Sequence, residues 1–362
     1  MASWRVPTEV RNDATTARPL AGRVEWNRRE SRVLRGNPWG DPTERDVPVY
    51  VPPSGKTDGR PLLVLLSGFT GAGYLHFQRG RYLDESIVSR LDRLIRTGAA
   101  PEAVMVGPDC LTLLGGSQYL NSSATGRYED YVVEEIVPWV RERYGTGPTA
   151  VLGTSSGGFG AMVLSLRHAD VFAAFASNAG DAYFEYTYPL EFPSAFREIR
   201  KDGGPEAFLR RVLGTPVSGF GPGSPAGKAL STMAYASCYS PVESEPGRFD
   251  LPFDLDSGAL RPDVWARWLA WDPVRMVAEP RYAAAARRLR YAYVDGGLRD
   301  EWGLDVAARV FAAAARSQGV SVELGEYDGV HGDRGPRYDV MIPRLLRALG
   351  FPPPGPPASA LL

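Results

Sequence analysis

The sequence is short of the residues that mark several common protein classes. It has two cysteines, Cys110 and Cys238, in 362 residues. That excludes the disulfide framework of a small secreted domain and leaves two reduced thiols as the plain reading. Three histidines, His76, His168 and His331, do not make a His/Cys cluster with zinc spacing. The acidic residues follow no calcium-loop pattern, so no metal and no cofactor is expected. No apolar run reaches the about 18 residues of a membrane-spanning helix. The formal net charge is −1, which gives no electrostatic footprint for nucleic acid or an anionic membrane. The N-terminal stretch MASWRVPTEVRNDATTARPL lacks the apolar core of a secretory leader, so a cytoplasmic setting is expected. The glycine-rich stretch Gly214–Lys228 fails the phosphate-loop spacing, because Ala229 follows the lysine.

What is present is an apolar fraction of 44%, enough for a large core, and an alternation of short apolar runs with helical patterns. Strands are expected at Pro61–Leu66, Ala103–Val106, Thr149–Leu152, Phe172–Ser177, Leu289–Val294 and Val320–Glu326. Helices are expected at Arg127–Tyr144, bent by Pro138, and at Gly157–Arg167, Leu304–Ser317 and Tyr338–Leu349. This order predicts an α/β fold, a mostly parallel sheet with helices on both faces. Residues 1–20 read as a loose arm, 21–350 as one α/β domain and 351–362 as a proline-rich tail. Residues 181–280, rich in aromatics, glycine and proline, break the rhythm and read as an insertion packed over one edge of the sheet.

The chemistry concentrates at strand ends. Gly153-Thr154-Ser155-Ser156-Gly157 fits G-x-S-x-G between an expected strand and an expected helix. In that context the serine sits on a tight turn with a helix N-terminus behind it. Ser155 is the candidate nucleophile, and Ser156 its rival one frame later. A hydroxyl needs a base to take its proton. Of the histidines, only His331 lies after the last expected strand, in EYDGVHGDRG, while His76 could edge the pocket and His168 reads as a helix-end group. The acid belongs between Ser and His in chain order. Asp295 and Asp300 both qualify, and Asp300 is favoured because it lies farther out in its loop. The oxyanion needs two backbone donors. The expected pair is the N–H of Ser156 and that of Phe69, with Thr70 next. The insertion's aromatics Tyr183, Phe184, Tyr186, Tyr188, Trp265 and Trp268 are candidates to line the pocket, and Tyr183 and Trp302 are taken as substrate-binding.

These segments together resemble the esterase branch of the α/β hydrolases, which holds S-formylglutathione hydrolases, enterochelin esterases, feruloyl esterases and mycolyltransferases. LLVLLSGFTG resembles the family's oxyanion strand and loop, VLGTSSGGFGAM its nucleophile elbow, VDGGLRDEWGLD its acid loop and EYDGVHGDRG its histidine loop. The resemblance runs from about residue 30 to 349. It implies an α/β-hydrolase fold with an insertion before the catalytic acid, and a Ser155–Asp300–His331 triad acting on a small-molecule ester. Two departures stand out: Ser67-Gly68 replaces the usual His-Gly, and the residues after His331 are unusual. Acyl transfer to an alcohol and a catalytically silent binding role are the alternatives. The sequence leaves the ester and the oligomeric state open.

Overall fold

Leu62–Leu66 (β3) shows how this chain makes a sheet buried on both sides. Leu62, Val64 and Leu66 enter one hydrophobic cluster, while Leu63 and Leu65 enter a second on the opposite face, the period-two consequence of a pleated strand. All five are fully buried. The neighbouring strands are Val104–Val106 (β4), Thr149–Thr154 (β7), Ala174–Asn178 (β8), Tyr291–Gly297 (β9) and Glu323–Tyr327 (β10). Two further strands, Arg23–Glu30 (β1) and Glu44–Val51 (β2), complete the sheet, and Asn121–Ser122 (β5) pairs with Gly126–Arg127 (β6) as a separate small hairpin. The eight-stranded order is β1-β2-β4-β3-β7-β8-β9-β10. All pairings from β4 to β10 are parallel, and β1/β2 and β2/β4 are antiparallel. The computed structural model describes residues 19–78, 85–214, 221 and 223–355. Most of the expected arm, residues 1–18, and residues 356–362 of the expected tail lie outside the described residues.

Helices cover both faces. Ile87–Arg96 (α1) and Tyr338–Ala348 (α8) bury Leu91, Leu94, Ile342 and Leu345 against one side. Val137–Tyr144 (α2), Ser156–Arg167 (α3) and Leu304–Ser317 (α7) pack on the other. The break expected at Pro138 takes the form of a π-helical turn at Tyr131–Ile136 just before α2. The proline has no N–H to give to the preceding turn, so the helix widens there. Between β8 and β9 the chain forms mainly short helices, including Phe192–Lys201 (α4), Pro225–Tyr239 (α5) and Pro262–Leu269 (α6). Their apolar sides carry Phe192, Met233, Tyr239 and Trp268 into the same cluster as α3 and the sheet.

Boundaries differ from expectation in two instructive places. β9 runs through Asp295 to Gly297, so Asp295 is a strand residue paired with Asn178 and Gly325 and not the first residue of a loop. β1 (RVEWNRRE) has no sequence-level strand signal, because its side chains are charged and only partly buried. Such a composition suits an edge strand, which charges protect from further pairing.

Candidate active site

The parallel strands deliver their C-terminal ends to one rim of the sheet, where sites of α/β proteins gather. β7 ends at Thr154 and α3 begins at Ser156, so Ser155 alone makes the turn. Its backbone sits at φ 57°, ψ −129°, a conformation that costs a non-glycine residue on the order of 1–3 kcal/mol and persists only where the surroundings enforce it. Enforcement is visible on both flanks. A methyl group on Gly153 would stand 2.5 Å from the Gly157 carbonyl, and one on Gly157 would stand 2.3 Å from the Leu66 carbonyl oxygen. The Ser155 N–H is held by the Asn178 carbonyl at 3.0 Å. Ser156, the rival, is buried, and its hydroxyl donates to Asp181 Oδ2 at 3.3 Å.

Asp300 and His331 come together from the loops after β9 and β10. His331 Nδ1 lies 2.7 Å from Asp300 Oδ2, and the Asp300 side chain is inaccessible to solvent. Asp300 Oδ1 accepts from the Trp302 N–H at 3.0 Å and the Leu304 N–H at 3.4 Å, which fixes the carboxylate at the start of α7. The His331 N–H donates to Glu301 Oε2 at 3.0 Å, and the Trp302 ring meets the imidazole edge-on with centroids 4.6 Å apart. Asp295 is engaged elsewhere: it accepts from Asn178 Nδ2 at 2.5 Å, Tyr293 Oη at 2.8 Å and Arg337 Nε at 2.7 Å. Burial raises its carboxyl above the ordinary range, and Arg337 opposes that.

Ser155 and His331 line one cavity of about 410 Å³, together with Phe69, Tyr188, Tyr235, Glu301 and Trp302. Among the described residues no hydrogen bond joins the two catalytic candidates directly. His331 Nε2 instead has Arg334 Nη1 at 3.3 Å. Catalytic hydrogen bonds in ligand-free sites are commonly long and tighten only around substrate. The two oxyanion candidates differ in a useful way. The Thr70 N–H is spent on the Gly115 carbonyl at 2.7 Å, whereas the Phe69 N–H finds no acceptor among the described residues. The Ser156 N–H belongs to the first turn of α3, where helical N–H groups lack internal partners.

A family model described as "Putative esterase" matches residues 42–340. The chain belongs to this esterase family. Solved structures with the same fold include a ferulic acid esterase (20% identity, TM-score 0.56, covering 90% of this chain and 99% of that one). An S-formylglutathione hydrolase from Agrobacterium tumefaciens superposes similarly (16%, 0.57, 92% and 98%). So does a fluorophosphonate-binding serine hydrolase from Staphylococcus aureus (12%, 0.56, 90% and 98%). No curated protein matches the chain. Among the described residues, no helix of this esterase is long and apolar enough to cross a membrane.

Not every candidate from the sequence reaches the cavity. Tyr183 does not line it. Its backbone is left-handed at φ 50°, its N–H is capped by Asp272 Oδ1 at 3.0 Å, and its ring stacks on Tyr186 at 5.7 Å. Trp265 and Trp268 pack edge-to-face on Phe192 in the core. The aromatic wall is built by Tyr188, Tyr235 and Phe69, with Trp302 at the rim. Trp302 Nε1 donates to Glu191 Oε1 at 2.8 Å. His168 caps the end of α3 and bonds Glu129 Oε1 at 2.6 Å. His76 Nε2 lies 3.1 Å from Ser67 Oγ. Burial, aided by the Arg334 charge, pulls the His76 pKa down to about 4, so it is neutral near pH 7.

Three charged residues are among the cavity residues that escaped the sequence reading. Asp181 is buried, accepts from Gln118 Nε2 at 3.2 Å, and is pushed by burial up to about 6. Glu191 is also raised by burial, against donors from Trp302 and Ser231. Arg334, three residues after His331, is half-buried and lines the cavity as well. Only the last had a signal in the sequence, the unusual run after His331.

Proposed function

We propose that this esterase cleaves its ester through an acyl-enzyme, with Ser155 as nucleophile, His331 as general base and Asp300 as the group that orients it. The observation carrying this reading is the 2.7 Å Asp300–His331 contact opening onto the same cavity as the strained Ser155. With Asp300 ionised, Nδ1 holds the imidazole proton, which leaves the Nε2 lone pair to take the Ser155 proton. Ser155 Oγ attacks the carbonyl carbon, and the new oxyanion is received by the N–H groups of Phe69 and Ser156. Collapse breaks the bond to the alcohol oxygen, which takes the proton from Nε2. Water then repeats the cycle in reverse: His331 takes its proton, the oxygen attacks the acyl carbon, and Ser155 leaves protonated. Asp300 keeps its charge throughout and stabilises the transient imidazolium.

On this reading the helices between β8 and β9 roof the acyl side of the site, since Tyr188, Glu191 and Tyr235 are theirs. The test is pre-steady-state hydrolysis of p-nitrophenyl acetate. A burst of p-nitrophenol equal to the enzyme concentration, absent in Ser155→Ala, is expected. Steady-state turnover in Ser155→Ala equal to wild type refutes it. Repeating the reaction with an added alcohol separates hydrolysis from acyl transfer by the product formed.

A further inference from the structure

Arg334 occupies a position that the hydrolytic cycle does not explain. Its Nη1 stands 3.3 Å from His331 Nε2, the atom that must accept the serine proton. A methyl group placed on Gly68 would lie 3.6 Å from the same Nη1 and 3.4 Å from Ser155 Cβ, so the guanidinium leans over the oxyanion loop beside the nucleophile. Arg334 also lines a second cavity, of about 520 Å³, with Gly68, Thr70, His76, Ser86 and Thr154. Phe69, Thr70, Gly332 and Arg334 border both cavities.

Among the described residues Arg334 forms no ion pair. Each acid that shares its cavities has a partner other than Arg334. Glu301 accepts from the His331 N–H. Glu85 is held by Arg93 at 2.8 Å and Arg90 at 3.7 Å. Asp181 is bonded to Gln118 and Ser156, and Glu191 to Trp302 and Ser231. His76 is neutral, so Arg334 is the one cation lining either cavity among the described residues. A guanidinium offers five donors in a flat fork that matches an oxyanion. Here one donor goes to an imidazole nitrogen that catalysis needs free.

Resting on the triad reading, we propose that Arg334 is a specificity-determining residue that selects esters whose alcohol part carries a carboxylate or similar oxyanion. The side is set by the chemistry. Nε2 hands its proton to the leaving oxygen, so the group beside Nε2 faces the alcohol part of the ester. The acyl side carries Asp181 and Glu191, whose carboxylates oppose an anionic acyl group. Binding of the anion turns the guanidinium away from Nε2 and frees the base for Ser155. A neutral alcohol part leaves the guanidinium competing with the serine for that nitrogen.

The test compares kcat/KM for 3-acetoxybenzoate and its neutral isostere 3-acetoxybenzamide, in wild type, Arg334→Gln and Arg334→Lys, with the melting temperature of each. A hydrogen bond to a charged group predicts a wild-type preference for the carboxylate of about ten- to hundred-fold. The preference should collapse towards one in Arg334→Gln and survive in part in Arg334→Lys, which keeps the charge but not the fork. A second arm, phenyl hemisuccinate against phenyl succinamate, puts the charge on the acyl side and should show no preference for the anion. A wild-type ratio near one, a ratio that persists in Arg334→Gln, an equal loss on both esters, or an anion preference in the acyl arm overturns the proposal. Failure to hydrolyse any of the four esters overturns the esterase mechanism itself, a result distinct from hydrolysis without discrimination.

Discussion

Replacing Asp300 by Asn probes the catalytic geometry with little change in volume. The native carboxylate accepts three hydrogen bonds, from His331 Nδ1 and the Trp302 and Leu304 N–H groups. The asparagine oxygen can keep the two backbone donors. Its NH₂ then faces Nδ1, and two donors cannot meet. The imidazole responds by moving its proton to Nε2, the tautomer that cannot take a proton from Ser155. In the trypsin example of this substitution kcat falls by about 10⁴, equivalent to roughly 5.5 kcal/mol of barrier at 1.36 kcal/mol per tenfold. The stability cost is that of one charge-assisted hydrogen bond, about 1–3 kcal/mol. Asp295→Asn should behave in the opposite way. It weakens a pair with Arg337 whose carboxylate is wholly buried, at a cost of about 2–4 kcal/mol by comparison with broken buried pairs. That corresponds to roughly 3–6 °C in melting temperature for a domain of this size, with kcat within about tenfold of wild type because His331 keeps its partner. The assay is kcat on a p-nitrophenyl ester beside a thermal melt for each variant. If Asp295→Asn loses activity and Asp300→Asn does not, the acid has been misassigned and the tautomer argument fails with it.

Asp181 gives a pH-dependent signature. Its folded pKa, about 6, lies above the ordinary carboxylate value. The folded state therefore holds a proton that the unfolded chain has lost between about pH 4 and 6, and stability falls as pH rises through that window. Asp181→Asn removes this loss, so its stability relative to wild type should grow by roughly 2 kcal/mol from pH 4 to 6.5, measured by urea unfolding; parallel curves contradict the assignment. Trp302→Ala and Tyr235→Ala should change the preference between acetyl and longer acyl p-nitrophenyl esters. Trp265→Ala should instead lower stability by about 3–5 kcal/mol and leave the acyl-chain profile unchanged, and the reverse pattern refutes the placement of these rings. The mechanism calls on no metal, so EDTA should leave the rate unaltered, and inactivation reversed by adding a divalent ion contradicts it.

The sheet centre was readable from the sequence because β3, β4 and β7 are buried on both faces and appear as unbroken apolar runs. The elbow was readable because Gly153 and Gly157 meet backbone on both sides, so the glycine pattern has a steric cause. β1 was not, because an edge strand carries charge where an inner strand carries valine or leucine. The end of β9 was placed too early, because the strand extends past the apolar run through Asp295 and two glycines. Tyr183 was chosen from composition, but its direction is set by a positive φ and the Asp272 cap, neither visible in a list of aromatics. Asp181 and Glu191 depend on which helices fold back over the rim, a long-range fact that local pattern does not contain, whereas Arg334 had its local signal in the unusual run after His331.

The central claim is that Ser155 is the nucleophile served by His331. Its most direct test is labelling of the full chain with a fluorophosphonate, followed by peptide mass analysis of wild type, Ser155→Ala and His331→Ala. A single adduct on Ser155 is expected, absent in Ser155→Ala and slowed by orders of magnitude in His331→Ala. An adduct on Ser156, or undiminished labelling after either substitution, contradicts the account.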